Sequence, residues 1–411
     1  MSINNQRFLE GCFEMDFLAI SMEIVKGMGL FFIHPLFYLL VFFSLFLGYR
    51  RVQRERMNFH TRVYDVVDDF IHPLIPSIFA GIALSLVIVG LGIVIPIGVI
   101  ALFAVVHFLV LFTGQARWLS PAYTGSLTLL IALVLPSFET GIAIIDRWIA
   151  EIYATHLGSL AVLVGVLILI EGILIYNNGH AHSSPKLLKS KRGKTVGGHE
   201  AHRLWIIPGL FLLPNGGIPT SEFWPLIATD YSHIGFIAVP FAIGFQQVIR
   251  STLPAHAIIN YGKRVILVGL VVIILSSVSL FYAIFVPIVA VVALLLRELI
   301  AMAQRLQEEK ETNMYTEREN GLVILGVIPH SPAAKMNVKI GEVITKVNGV
   351  SVKTSQQFYE ALQQNSAFCK LEIIDENGEI RFGQTALYDG EHYQVGLLFV
   401  QQETINDEKA M

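Results

Sequence analysis

Two pairs of histidines lie close together near the middle of the chain, in His180-Ala181-His182 and His199-Glu200-Ala201-His202. Zinc peptidases use the pattern His-Glu-x-x-His, because histidines four residues apart project from one face of a helix and the glutamate beside them acts as a base. Here the second histidine of the His199 motif comes one residue early, glycines flank the segment, and no Asp-Gly motif follows inside an apolar stretch. The pattern predicts a solvated polar loop that holds no metal.

A second candidate for chemistry is the segment Thr124-Gly125-Ser126-Leu127, where a serine follows a glycine in an apolar stretch. A rhomboid-type protease carries a second glycine in its nucleophile turn and a histidine on a partner helix that accepts the serine proton. Neither feature is evident in this sequence. We therefore expect no catalytic residues, no cofactor and no enzymatic activity.

Two ionisable residues, His107 and Glu171, fall inside apolar stretches that are long enough to enter a membrane. Such residues are costly in lipid and by default indicate a transport pathway or a paired partner. Two isolated residues do not make a proton relay. We expect hydrogen bonds between helices, or a side chain that reaches toward the membrane interface, and assign neither residue to a site.

The elements that would position these residues belong to a membrane protein. Hydrophobic residues make up 54% of the 411 residues and charged residues only 15%, with a mean hydropathy of +0.61, which is typical of multi-spanning proteins. From Gln304 onward, 10 basic residues stand against 16 acidic ones, so the end of the chain is an acidic soluble body that we do not expect to bind nucleic acid. The two cysteines, Cys12 and Cys369, exclude a disulfide framework.

The membrane domain is predicted at residues 28–303, with seven to nine transmembrane helices. The first span, at 28–49, is followed by five arginines, which is a strong cytoplasmic signal: Arg50, Arg51, Arg54, Arg56 and Arg62. Residues 74–112 are nearly twice as long as one crossing, so we expect a turn at 92–98 around Pro96.

Further spans are predicted at 125–145 and 157–176, and a basic polar loop at 177–203 should lie on the same side as the arginines. Residues 204–249 contain short apolar pieces divided by Pro and Gly, which predicts two broken spans or a re-entrant segment. The apolar run 265–296 predicts a hairpin that turns near Ser276 to Ser279. A charged helical linker at 304–313 continues from the last span.

A different pattern begins at Asn320. The run Leu322 to Ile328 predicts a buried strand that Pro329 ends, and Ser331-Pro332 turns the chain into about one helical turn. A second strand at 342–347 leads into Asn348-Gly349, the dipeptide that favours a tight hairpin turn. The pattern predicts a small, turn-rich module.

The motifs Asn320-Gly321-Leu322-Val323, Ser331-Pro332-Ala333-Ala334, Gly341-Glu342-Val343-Ile344 and Val347-Asn348-Gly349 together resemble a bacterial PDZ domain over residues 314–400. The resulting fold class is a multi-spanning α-helical membrane domain followed by a small α+β, mainly β, PDZ domain. Short tails complete the chain at 1–27 and 401–411.

The resemblance implies a site where an extended partner peptide adds to a sheet edge and its carboxylate enters a nest of backbone N–H groups. We expect the edge at Val323 to Val327, the nest at Gly321, and a facing helix at 355–364. In that helix, Phe358 and Leu362 either line the groove or belong only to the core. The predicted site residues are Asn320, Gly321, Leu322, Val323, Ile324, Leu325, Phe358 and Leu362, and a bulky β-branched residue at Gly321 should weaken peptide binding.

The whole chain also resembles the MinJ-like family of cell division topological determinants. The resemblance rests on the segment 29–38 (GLFFIHPLFY), the segment 48–56 (GYRRVQRER) and the single C-terminal PDZ domain. It implies a non-enzymatic scaffold or adaptor of the division-site selection (Min) system, which links DivIVA at poles and septa to MinD.

By that resemblance, the protein would lie in the cell membrane with its PDZ domain in the cytoplasm, enriched at the division septum and the cell poles. Its partners would be the lipid bilayer and DivIVA-like and MinD-like proteins, with self-association left open. A PDZ-regulated intramembrane protease, or a protease cofactor, is the alternative of a different class.

Overall fold

A computed structural model describes residues 21–135, 139–191, 193–220, 224–227, 231–316, 318, 320–365, 367–387 and 395–400. The predicted C-terminal tail at 401–411 lies outside the described residues, as do Cys12 and most of the predicted N-terminal tail. Of that tail, residues 21–27 are described and belong to a helical segment at 21–33.

Eight α-helices follow that segment in the described part of the membrane domain. They are α1 (Pro35–Phe59), α2 (Asp68–Leu91), α3 (Ile97–Leu111), α4 (Pro121–Val134), α5 (Ala143–Tyr153), α6 (Leu157–Asn178), α7 (Pro254–Ser279) and α8 (Phe285–Lys310). Helices α1, α2, α6, α7 and α8 are long and apolar enough to cross a membrane, and α3 and α4 are shorter apolar helices. The predicted multi-spanning helical domain is confirmed.

Glycine and proline mark the turns that the sequence predicted. Helix α2 ends at Gly92, whose φ of 67° is readily adopted by glycine, and Pro96 precedes α3. Helices α7 and α8 form the expected hairpin, and α8 continues to Lys310, so most of the predicted linker is helical. The single span predicted at 125–145 is wrong: α4 ends at Val134, and the following α5 is amphipathic.

A three-stranded antiparallel sheet replaces two of the predicted features. Its strands are β1 (Ser184–Lys189), β2 (Thr195–Pro219) and β3 (His233–Ile249), in the order β1-β2-β3. The polar loop predicted at 177–203 and the broken or re-entrant spans predicted at 204–249 are therefore both wrong. Proline disfavours a helix interior, and Pro208 lies opposite Pro240 in the β2–β3 pair. The strand ladder satisfies the backbone groups instead.

Helices pack closely around this sheet. A Cβ added at Gly81 of α2 would lie 2.7 Å from the Pro208 carbonyl oxygen, and Ser85 of α2 accepts a 2.9 Å hydrogen bond from the backbone N–H of Leu210. Trp205, Ile207 and Ile243 of the β2–β3 pair are fully buried in the main core. The hairpin therefore forms part of the membrane domain's interior.

The ionisable residues of the apolar stretches are paired. The Glu171 carboxylate accepts hydrogen bonds from Arg297 and Ser120, each at 2.7 Å, and all three residues are buried. The His107 ring contacts the backbone oxygens of Phe103 at 2.9 Å and Ala242 at 3.3 Å. Glu171 makes the predicted hydrogen bond between helices, to Arg297 of α8. For His107 the prediction is wrong, because its partner outside its own helix is Ala242 of strand β3.

The C-terminal domain contains a small sheet with two short helices. Its elements are β4 (Leu322–Val327), α9 (Pro332–Lys335), β5 (Val343–Val347), β6 (Val350–Ser351), α10 (Ser355–Gln363), β7 (Phe368–Ile374), β8 (Ile380–Ala386) and β9 (Leu397–Phe399). The main strand order is β8-β7-β5-β4-β9, and β6 pairs with β5. Asn348 and Gly349 have positive φ angles, as the predicted tight turn requires.

The C-terminal domain packs directly on the membrane domain. Tyr315, Val323, Leu325, Val343 and Val400 form a buried cluster whose packing partners include Phe59 of α1 and Leu187 of β1. The backbone N–H of Gly197 donates to the Tyr315 oxygen, and the N–H of Met314 donates to the Arg250 oxygen, both at 2.8 Å. We call this contact the docking interface.

Candidate peptide-binding site

The strand that was expected to be the open edge is an interior strand. On one side, β4 pairs with β5 through Leu322 and Val323. On its other side, β4 pairs with β9 through Ile324, Gly326 and Val327. The prediction of an edge at Val323 to Val327 is therefore wrong, because the last strand of the domain occupies that position.

The predicted site residues lie in four different environments. Asn320 is exposed in a turn, and Gly321 is buried where an added Cβ would lie 2.5 Å from the Ile344 carbonyl oxygen. The remaining six are buried: Leu322, Ile324, Phe358 and Leu362 in the core of the domain, and Val323 and Leu325 in the docking interface. Glycine is therefore favoured at position 321 because the backbone there packs closely against β5. That a bulky β-branched residue at Gly321 weakens peptide binding remains a prediction, and this close packing gives it a structural reason.

Strand β9 forms the edge of the sheet in the described part of the domain, since β4 is its one neighbour there. The Gly396 oxygen accepts a 2.8 Å hydrogen bond from the N–H of Ile328. Backbone groups of alternate residues point to the same side of a strand, so Leu398 also faces β4 while Leu397 and Phe399 direct their N–H and C=O groups away from it. These outward groups can pair with an added strand.

Gly396 immediately precedes this edge. Its φ is 84°, a conformation that side chains with a Cβ rarely adopt, and an added Cβ would lie 2.2 Å from the Ser331 side chain. A glycine at the start of an edge strand is what a nest of inward-pointing N–H groups requires. Gly396 is therefore the position that resembles a carboxylate-binding turn.

Helix α10 lies beside β9. The rings of Phe358 in α10 and Phe399 in β9 are 5.1 Å apart, and both side chains are buried. Thr354 caps the helix by accepting a 3.2 Å hydrogen bond from the N–H of Gln357. Phe358 and Leu362 are fully buried in the core of the domain, so their side chains do not line its surface.

A local sequence pattern marks the start of this edge strand. Gly396 is followed by Leu397, Leu398, Phe399 and Val400, a glycine before four apolar residues. The same pattern at Gly321 was assigned to the nest. Local patterns of this kind cannot distinguish an edge strand from an interior one, because that depends on which strands pair across the sheet.

The segment His199-Glu200-Ala201-His202 lies in the buried strand β2, and its two histidines contact different partners. His199 contacts the Leu325 oxygen at 2.8 Å across the docking interface, and Ser183 at 3.2 Å. His202 contacts Asp69 at 3.2 Å. Residues three apart in a strand point to opposite faces, so these imidazoles do not converge.

Glu200, between these histidines, joins the two basic segments of the membrane domain. Its carboxylate pairs with Arg54 of α1, with Lys186 of β1 at 3.1 Å, and with the Gln246 amide at 2.7 Å. Burial alone would raise the pKa of Glu200, but the neighbouring positive charges outweigh it and lower the pKa to about 2. The arginines in the last turns of α1 and the basic residues of β1 therefore meet at one end of the molecule, next to the docking interface.

The fold and this site define a multi-spanning membrane protein that carries a PDZ domain. The PDZ domain family matches residues 323–374 of the chain. Cell division topological determinant MinJ of Bacillus subtilis (strain 168) is 39% identical over 384 residues, which cover 93% of this chain and 96% of that relative. The chain therefore belongs to the MinJ family of cell division topological determinants.

More distant relatives match a shorter part of the chain. The probable cell division topological determinants MinJ of Lacticaseibacillus paracasei and of Lacticaseibacillus casei (strain BD-II) are each 26% identical over 260 residues, 61% of this chain and 67% of the relative. No solved structure matches the chain significantly.

Acidification is expected to weaken the docking interface through His199. Burial lowers the pKa of His199 to about 4 from an ordinary value of 6.5, so the docked state holds a neutral ring. Protons then favour the undocked state, and docking should weaken by up to about tenfold per pH unit as the pH falls from about 6.5 to about 4. Protease cleavage within residues 311–316 should accelerate over this range. The variant His199→Gln keeps a hydrogen-bond donor but does not titrate. If its cleavage rate depended on pH as in wild type, His199 would not be the group that weakens docking.

A side chain at Gly197 is expected to separate the two domains. A Cβ there would lie 2.6 Å from Leu325 Cδ1 and 2.8 Å from Tyr315 Cβ. Gly197→Val should therefore destabilise docking by about 1–3 kcal/mol and increase cleavage within residues 311–316. Gly217→Val in the same strand is the matched control, because its nearest neighbour is 3.6 Å away. Equal cleavage rates in the two variants would contradict this expectation.

Proposed function

We propose that this protein is a non-enzymatic membrane adaptor of the division-site selection system. Its PDZ domain would lie on the cytoplasmic side, since it packs at the end where the basic segments meet. By its family relationship, the adaptor would link a DivIVA-like protein at septa and poles to a MinD-like protein.

The observation that supports this function best is the outward backbone of β9 beside helix α10. Peptide binding by strand addition needs unpaired N–H and C=O groups along an edge, a turn that accepts the peptide carboxylate, and a wall for its side chains. In the described part of the domain, Leu397 and Phe399 supply the first, Gly396 the second, and the surface of α10 the third. Peptide binding through these three features requires no covalent reaction.

Attachment of the PDZ domain to the membrane is expected to strengthen its binding to membrane-held partners. A partner that is itself at the membrane meets the groove in two dimensions, which raises the effective concentration and lets a weak contact suffice. The docking interface also restricts the orientation of β9 relative to the spans, so partners at the same membrane surface would approach one fixed edge.

Microscopy of dividing cells tests the proposed role. A fluorescent fusion to the full chain, expressed in cells that lack the native copy, should concentrate at septa and poles and restore normal division. A uniform distribution around the cell periphery, together with normal division after deletion, would contradict the proposal. Crosslinked membranes should yield DivIVA-like and MinD-like proteins with the full chain, and substantially less with a chain that ends at Glu311.

A further inference from the structure

A cavity of about 380 Å³ opens between the end of β3, the start of α4 and helices α7 and α8. Arg250 is one of its lining residues, and the backbone oxygen of Arg250 accepts the hydrogen bond from the N–H of Met314. The cavity therefore lies beside the docking interface. We propose that this cavity binds a phosphate group, and that this phosphate is the headgroup of an anionic phospholipid. The polar residues proposed to contact the phosphate or lie beside it are Arg117, Arg250, Arg297, Arg305, Gln246 and Gln247.

The arginines of the cavity differ in how far their charge is neutralised. Arg297 is paired with Glu171, and Arg117 lies 3.6 Å from Glu298 and over the ring of Trp118. Arg250 and Arg305 have no carboxylate within ion-pairing distance among the residues described. Two guanidinium groups at one cavity offer forked donors suited to phosphate oxygens.

The cavity lining holds four arginines and two carboxylates, Glu308 and Glu309, so the formal charge of its lining residues is positive. Glu308 already accepts hydrogen bonds from the backbone N–H groups of Arg250 at 2.9 Å and Ser251 at 3.0 Å. Glu309 is paired with Lys191 at 3.0 Å. Glu308 keeps its negative charge while it accepts these hydrogen bonds, and the Nε–H of Arg250 donates to the Glu308 carbonyl oxygen at 3.3 Å. In the described structure, the terminal N–H groups of Arg250 and the guanidinium group of Arg305 are therefore the donors left for an anion.

Two glutamines add an unmet demand for polar contacts. Both amide atoms of Gln247 are buried without a hydrogen-bond partner in the described structure, and so is the Oε1 atom of Gln246. Leaving a buried amide without a partner is unfavourable, so a ligand that supplies both acceptors and donors would stabilise it. A phosphate ester with hydroxyl groups meets this requirement, since phosphate accepts from Nε2 and a hydroxyl donates to Oε1.

Helix α8 favours a lipid over a free anion as the source of this phosphate. Leu299, Met302 and Leu306 are each about half exposed, and Met302 lies three residues before Arg305, so their side chains are neighbours on the helix surface. A headgroup could occupy the cavity while its acyl chains follow this apolar face. The arrangement matches the anionic, apolar character of phosphatidylglycerol.

The test uses the full-length protein in detergent, titrated separately with phosphatidylglycerol, phosphatidylcholine and inorganic phosphate. Wild type should bind phosphatidylglycerol in preference to phosphatidylcholine. Arg305→Gln should weaken that binding about tenfold, as expected for the loss of one charge-assisted contact, and the additional change Arg250→Gln should weaken it further. Arg62→Gln, an exposed arginine paired with Asp65 outside the cavity, should bind like wild type.

The outcomes separate the site from its ligand source. Inorganic phosphate that binds and is lost in Arg305→Gln, without a preference between the lipids, would support the phosphate site but make a soluble phosphate its ligand. Equal binding of phosphatidylglycerol by Arg305→Gln and Arg62→Gln would overturn the proposal. Arg305 is exposed, so its variant should keep the wild-type unfolding temperature, and this is checked alongside.

Discussion

Replacing Glu171 with alanine is expected to lower the free energy of unfolding by about 3–5 kcal/mol. Glu171 is fully buried and accepts hydrogen bonds from Arg297 and Ser120 at 2.7 Å. Its removal leaves the buried Arg297 without its carboxylate, and the cost of an uncompensated buried charge exceeds that of most single substitutions. Denaturant unfolding of the protein in detergent micelles measures the change.

Two further variants show whether the buried charge is the cause. The double variant Glu171→Leu/Arg297→Met removes both charges and should recover much of the lost stability. Arg62→Ala breaks the exposed pair with Asp65 and should cost no more than about 1 kcal/mol. A Glu171→Ala protein as stable as Arg62→Ala would contradict the assignment of this pair as a major interior contact.

Replacing Leu397 with proline is expected to weaken peptide binding about tenfold relative to Leu397→Ala. The Leu397 side chain is buried, so both variants lose its packing in the core. Only proline also removes the outward N–H that would pair with the added strand. The difference between the two variants therefore isolates a main-chain hydrogen bond, and edge strands tolerate proline.

Binding is measured with the full-length protein and the tightest peptide selected from a library of C-terminal heptapeptides. Fluorescence polarisation gives the affinity of each variant, and unfolding of both variants checks that they share the same loss of stability. Equal affinities for Leu397→Pro and Leu397→Ala would show that the Leu397 N–H does not take part in binding.

Local chemistry made two of the turns between helices predictable. The turn at 92–98 follows from Gly92 and Pro96. The hairpin at 265–296 follows because this apolar run is too long for a single membrane crossing. The pairing of Glu171 could also be expected in general terms, because an isolated carboxylate in an apolar segment needs a donor. The identity of the donor, Arg297, depends on the packing of distant helices.

The β2–β3 hairpin could not be predicted in the same way. Short apolar runs such as 204–213 and 234–245 fit either a strand or a helix segment by periodicity alone. What decides between them is the partner strand, more than twenty residues away, and the helices that cover both faces. Pro208 and Pro240, which lie opposite each other, were the local signal against a helix.

The PDZ motifs identified the domain but not the strand at the edge of its sheet. The tight turn at Asn348-Gly349 and the short helix after Ser331 depend on adjacent residues and agree with the sequence. The edge depends on β9, which follows β4 by about seventy residues and covers it. Gly321 and Gly396 look alike in sequence, and only the sheet order separates their roles.

Hydrogen exchange of the full-length protein, with and without the selected peptide, tests the β9 edge most directly. Binding by strand addition should slow the exchange of the segment 395–400 about tenfold or more and leave β4, at 322–327, unchanged. Protection confined to β4, or no protection of 395–400 at saturating peptide, would contradict the assignment of β9 as the binding edge.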